Sequence, residues 1–273
     1  MAFSPVFSAK GVSVHPDGAR IVTRTLPEEV PVAFVFDGTT QAVMMATPAD
    51  IEDFAVGFAL TEGIVESAGE IGEIEVVEHG PGIEARMWLA PGRGEALARR
   101  RRAMAGPVGC GLCGIDSLDQ ALRPLPRLAM GASDLTAAEI AGAGEALRTR
   151  QPLHDQTRAV HAAGYLRPGA GLVAVREDVG RHNALDKLIG TMARAGAGMD
   201  AGAVVMTSRL SVELVQKCAI ARCPVIVAVS APTALALRQA EEAGVTLAAF
   251  ARAGGVDIYS HANRIRTGAS HVA

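Results

Sequence analysis

Lysine and aromatic residues are scarce in this chain, and no long apolar run is present. Lys10, Lys187 and Lys217 are its only lysines, so arginine supplies nearly all of the 26 basic residues. One Trp, two Tyr and seven Phe are too few for the stacking platforms that bind single-stranded nucleic acid. A formal net charge of −3 and a pI near 6.2 remove the general electrostatic drive toward DNA or anionic lipid. The uncharged stretch Cys223–Leu237 contains Pro224 and Pro232 and falls short of the roughly 18 residues of a membrane span. Met1–Lys10 has no basic segment followed by an apolar one, so no signal peptide is expected. These absences point to a cytoplasmic protein with neither nucleic acid nor membrane as partner. What is present is 49% hydrophobic residues and a mean hydropathy of +0.24 over 273 residues. That suffices for a core of Ala, Val, Leu, Ile and Met in one or two domains.

The first part reads as a small α+β unit. Val30–Phe36 and Thr40–Met45 flank an Asp37-Gly38 turn, a helix runs from Thr47-Pro48-Ala49-Asp50 to Gly63, and strands follow at Ile71–Glu78 and Ile83–Leu89. A composition change between Pro91 and Gly114 places a domain boundary there, dividing a domain 1–98 from a domain 99–273. Leu135–Gln151 is helical in pattern, with Thr136 and Glu139 spaced as a capping box. Beyond Gly164 the pattern alternates. Strands at Leu172–Val175, Ala203–Met206, Val225–Val229 and Val245–Phe250 are separated by helices, the first carrying Leu185, Leu188, Ile189 and Met192 at i, i+3, i+4, i+7. The fold class is therefore α/β, with a parallel sheet whose ligand crevice lies beyond the carboxyl ends of the strands. Arg176-Glu177-Asp178, Thr207-Ser208-Arg209, Ser230-Ala231-Pro232-Thr233 and Phe250 to Gly255 are expected to gather there.

The sharpest local motif is Gly109-Cys110-Gly111-Leu112-Cys113-Gly114. Glycine brackets leave both sulfurs accessible, and Arg99 to Arg102 stand a few residues upstream, where cations would favour thiolate. The same spacing suits half a zinc site or a reducible disulfide, and these readings stay open. Cys218 and Cys223 could complete a four-thiolate site, but Cys218 falls on the apolar side of a helix, where cysteine acts as a small hydrophobe. No metal site is therefore assigned. Deaminase chemistry needs His or Cys two residues before Glu, and no histidine or cysteine here meets that condition. Arg176 to Lys187 reads as a strand end, a polar loop and a helix start. Together with Arg209 and Arg252, it makes an anion site on the crevice plausible.

Met45 to Phe58, Glu62-Gly63-Ile64, the Cys110 and Cys113 motif, Arg176 to Lys187, Ser208-Arg209, Glu213 to Lys217, Ser230 to Thr233 and Phe250-Ala251-Arg252 together resemble the formate dehydrogenase accessory sulfurtransferase family, FdhD. The resemblance implies a cytidine-deaminase-like three-layer α/β domain with a smaller N-terminal α+β domain, in a homodimer. It also implies a sulfurtransferase that takes sulfur from a cysteine desulfurase as a cysteine persulfide. The sulfur then passes to the bis-molybdopterin guanine dinucleotide (Mo-bisPGD) form of the molybdenum cofactor, for formate dehydrogenase. On that basis Cys110 is the persulfide carrier and Cys113 its partner. Phe250, Ala251, Arg252, Ala253, Gly254 and Gly255, with Arg176 and Arg209, bind the dinucleotide, and GDP is expected to bind as a fragment of it. Where the family has Thr-Gly-Gly before His-Ala-Ala, this chain carries Thr157-Arg158-Ala159 before Val160-His161-Ala162-Ala163. The alternatives are a module that delivers cofactor without sulfur chemistry, and a CxxC thiol oxidoreductase.

Overall fold

A computed structural model describes residues 3–91, 124–129, 131 and 133–267. Its first element is a hairpin, β1 (Val6–His15) and β2 (Gly18–Pro27), that forms a sheet of its own. Its sequence carries no strong alternation, and the sequence reading missed it. Next come β3 (Val30–Phe36), β4 (Thr39–Ala46), β5 (Ile71–His79) and β6 (Gly82–Leu89), in the order β4-β3-β6-β5. Helix α1 (Ile51–Thr61) covers one face of this sheet. Phe34 stacks on Phe58 at 4.2 Å and meets Phe54 edge-on at 4.9 Å, placing three of the few aromatic rings in one core.

The second sheet has six strands: β7 (His161–Arg167), β8 (Gly171–Asp178), β9 (Ala203–Met206), β10 (Val225–Ala228), β11 (Thr246–Arg252) and β12 (Gly255–Ile258). Their order is β12-β11-β10-β9-β7-β8. Helix α2 (Ala137–Arg148) packs on one face, and α4 (Arg181–Arg194), α5 (Val212–Ile220) and α6 (Ala234–Ala243) pack on the other, so the unit has three layers. The short α3 (Pro152–Thr157) precedes β7. The expected wholly parallel sheet is corrected to a mixed one. Strands β8 to β11 do point the same way, but β7 is inserted antiparallel between β8 and β9, and β12 runs antiparallel beside β11. Tight turns close both pairs, Arg167–Gly171 and Arg252–Gly255, and a hairpin cannot join parallel strands. The capping box of Thr136 and Glu139 forms as read from the sequence.

The two units are pressed together where α1 crosses α4. A Cβ on Gly57 would lie 1.8 Å from the Asp186 carbonyl oxygen, and one on Gly190 would lie 1.8 Å from that of Asp53. Only glycine admits this approach. Around the crossing, Lys187 and Asp178, both fully buried, pair at 2.6 Å, and Lys217 meets Asp186 at 2.9 Å. Asp178 also accepts hydrogen bonds from the backbone amides of Thr47 and Gly180 and from Asn183 Nδ2. Burial raises the Asp186 carboxyl, and Lys217 and Thr61 oppose that rise.

Candidate functional site

A cleft of about 600 Å³ opens where the carboxyl ends of β9, β10 and β11 meet the start of β7. Because β7 is antiparallel, its first residue, His161, reaches the same edge as Thr207, Val229, Ala251 and Arg252. The opposite wall comes from α2 through Gly144, Glu145 and Arg148, and from α3 and its flanks through Gln151, His154 and Arg158. Gly144 sets how closely α2 approaches. A Cβ there would lie 2.5 Å from the Ala251 carbonyl oxygen and 2.8 Å from Val229.

Three guanidinium groups border this cleft. Arg148 pairs with Asp155 at 2.5 Å, whereas Arg158 lies 3.8 Å from the same carboxylate. Arg252 forms no ion pair among the described residues, and its guanidinium sits 5.8 Å from the Phe250 ring centroid. Arg158 has φ 59°, the left-handed region that glycine favours. An arginine held there keeps a cation at the cleft at a cost in backbone strain, as happens where a site overrides local preference. Burial, followed by the charges of Arg181 and His182, lowers the pKa of His161 below 6.5. Its imidazole is thus mostly neutral near pH 7 and able to accept as well as donate. Thr207 Oγ1 accepts from the Ala162 amide, and His154 Nδ1 sits 3.3 Å from the Val160 carbonyl oxygen, so both side chains are held in place.

The residues expected at the site separate into three groups. Ala251 and Arg252 line the cleft, and Ala253 and Gly254 form the adjoining turn to Gly255 with φ of 52° and 75°. Phe250 has φ 53° and leans toward the core under α6. Arg176 is elsewhere. Its guanidinium binds Asp53 of α1, with Nη2 at 2.7 Å and Nε at 2.9 Å, so it joins the two units. Arg209 lies exposed in the loop between β9 and α5, outside the cleft lining. Cys110 and Cys113 lie outside the described residues, as do Arg99 to Arg102 and the boundary at 98/99.

Arg148, Gln151, His154 and Arg158 were missed by sequence reasoning because they sit on elements of the other layer. The one available signal was Arg158 standing in place of an expected glycine. The string Arg176 to Lys187, read as a phosphate loop, is largely a structural joint. Glu177 accepts from the Leu153 and His154 amides at 2.8 Å, Asp178 holds Lys187, and Asn183 Nδ2 donates to the Met45 carbonyl. Beside it, His182 Nε2 lies 3.8 Å from Glu213 Oε2, and the His182 contact holds the Glu213 carboxyl down to about 2. Cys218 and Cys223 are fully buried, and burial pushes the Cys223 thiol up to about 12 and that of Cys218 well above its ordinary value. Neither is a thiolate at neutral pH. No helix among the described residues is long and apolar enough to cross a membrane.

Comparisons with known proteins bear on the family of the chain. A sequence model of the FdhD/NarQ family matches residues 27–266. The sulfur carrier protein FdhD of Agrobacterium fabrum is 55% identical over 242 residues, covering 89% of each chain. That of Brucella abortus is 55% identical over 243 residues, covering 89% of this chain and 90% of its own. A crystal structure from Desulfotalea psychrophila, titled as that of a "putative formate dehydrogenase accessory protein", superposes with a TM-score of 0.75 at 27% identity, over 96% of this chain and 100% of the other. With the family model spanning all but the two ends, the chain belongs to the FdhD/NarQ family.

Proposed function

We propose that the protein is a sulfurtransferase that carries sulfur as a persulfide on Cys110, from a cysteine desulfurase to the Mo-bisPGD cofactor destined for formate dehydrogenase. In the loading step the Cys110 thiolate attacks the terminal sulfur of the desulfurase persulfide. A new S–S bond forms at Cys110, and the desulfurase cysteine leaves as its thiolate. Cys113 serves as the partner thiol. The cofactor is cargo, bound through its guanine dinucleotide at the cleft, with GDP as the fragment that reports the site.

One observation carries the ligand half of this reading: Arg252, without an ion-pair partner among the described residues, shares a cleft with Arg148 and Arg158 at the carboxyl ends of three parallel strands. Parallel α/β sheets bind ligands at that edge, and arginine suits phosphate through charge-assisted bonds. The sulfur half is supported by the relatives, which are named sulfur carrier proteins. The antiparallel strand inserted beside β9, with helices on both faces, supports the cytidine-deaminase-like reading of the layers. A homodimer acting in the cytoplasm belongs to the same proposal.

Intact-mass measurement after incubation with a cysteine desulfurase and cysteine tests the proposal. The wild-type chain gains the mass of one sulfur atom and Cys110→Ala does not. A Cys110→Ala chain that gains sulfur at normal yield overturns the assignment of the carrier. If that variant fully supports formate dehydrogenase activity, delivery without sulfur chemistry is the correct reading.

A further inference from the structure

Among the described residues, one polar group of the cleft has no partner. Gln151 is 2% exposed, and its Nε2 is buried without a hydrogen-bond acceptor. Its backbone is firmly placed, because it caps α3, accepts from the Asp155 amide at 2.9 Å, and is followed by Pro152. Buried donors are nearly always paired in folded proteins. An unpaired one in a cleft therefore marks where an occupant supplies the acceptor.

The cleft divides its occupant into two parts. Arg158 and Arg252 are exposed and charged, whereas Gln151 is buried in a lining that also holds the apolar Val160, Val229 and Ala251 and the uncharged polar Thr207. A phosphate belongs with the guanidinium groups. The acceptor that meets Gln151 belongs to an uncharged part that tolerates apolar walls, and a ring carbonyl has that chemistry.

We propose that Gln151 is the ring-reading residue of this cleft, its Nε2 donating to the carbonyl of a fused 2-amino-oxo heterocycle. The inference rests on the dinucleotide reading above and adds the group that recognises the ring. Guanine and pterin share this edge, a C=O beside a ring N–H. Adenine presents an amino group at the corresponding position, which Nε2 cannot serve, so the amide has to turn and offer Oε1 instead.

Calorimetric titration of the full chain with GDP, ADP, 6-carboxypterin and pyrophosphate tests this. The variants are Gln151→Met, which removes a donor that has no partner to lose, and the near-isosteric Gln151→Glu. Where guanine is the ring at Gln151, wild type is expected to bind GDP about tenfold more tightly than ADP. Each variant then loses about tenfold for the ligand whose ring sits at Gln151, with pyrophosphate affinity unchanged in Gln151→Met. A loss confined to GDP identifies guanine as the ring, and one confined to 6-carboxypterin identifies the pterin; both support the proposal. Unchanged affinity for both ring ligands in folded variants overturns the role of Gln151 alone. If neither GDP nor pyrophosphate binds wild type, the dinucleotide reading and this inference fall together.

Discussion

Charges at the α1–α4 crossing and charges at the cleft are disposed in opposite ways. At the crossing, Lys187, Lys217, Arg176 and Arg194 each meet a carboxylate, and Asp53 alone receives bonds from Arg176, Arg194 and Thr191. At the cleft, among the described residues, Arg252 has no ion pair and Gln151 keeps a buried donor unpaired, while Arg158 is held in a left-handed conformation. The first pattern holds two units together. The second leaves interaction capacity for something that comes and goes. Arginine content alone cannot distinguish them, since Arg176 and Arg252 look alike in sequence.

The comparison breaks most sharply at Lys187. Its partner Asp178 is fully buried, so Lys187→Met leaves that charge uncompensated and is expected to cost about 3–5 kcal/mol, read as a lower urea midpoint. A variant that unfolds at the wild-type midpoint would show that the pair contributes nothing to the joint. Asp53 gives the pH signature of the same region. Burial would raise its carboxyl, but hydrogen bonds from Arg194, Arg176 and Thr191 outweigh that and hold it below 3.8. A depressed carboxylate stabilises the fold above its unfolded value and ceases to do so as pH falls through the folded one. Stability should therefore drop as pH falls below about 4, and Asp53→Asn should flatten that acid limb in melts at successive pH values.

At the cleft the expectation reverses. Arg252→Ala should weaken GDP by about tenfold to a hundredfold, the value of a charged hydrogen bond, while leaving sulfur loading on Cys110 and the melting temperature unchanged. Unaltered GDP binding would remove Arg252 from the site. The smallest effect belongs to Arg158→Gly. Relief of the left-handed strain is expected to stabilise the fold by about 1 kcal/mol, while loss of a cation weakens GDP severalfold. A gain in stability without a loss of binding would make Arg158 a surface residue of no consequence to the ligand.

Sequence pattern located most helices and strands because their signals are local. The capping box of α2, the turn after β3, and the periodic apolar face of α4 depend on residues within a few positions of one another. The order of strands did not follow from such signals. Nothing in His161–Arg167 announces that it will lie between β8 and β9, and the short alternation of β12 is equally silent. The β1–β2 hairpin escaped detection for a related reason, since its exposed Val12, Val14 and Ile21 mix with Lys, Arg, Ser and Thr instead of marking one buried face.

By itself the sequence determined the mixed α/β character, the family, the CxxC motif and the placement of Ala251 and Arg252 near the carboxyl end of a strand, because each rests on residues contiguous in the chain. Tertiary structure decided which arginines are free. Arg176 is bound by Asp53, 123 positions away, whereas Arg148, Gln151 and Arg158 are brought to Arg252 by the packing of α2 and α3 against the edge of the sheet. Whether a charge is neutralised or available depends on what lies within a few ångströms in space, and chain order carries little of that information.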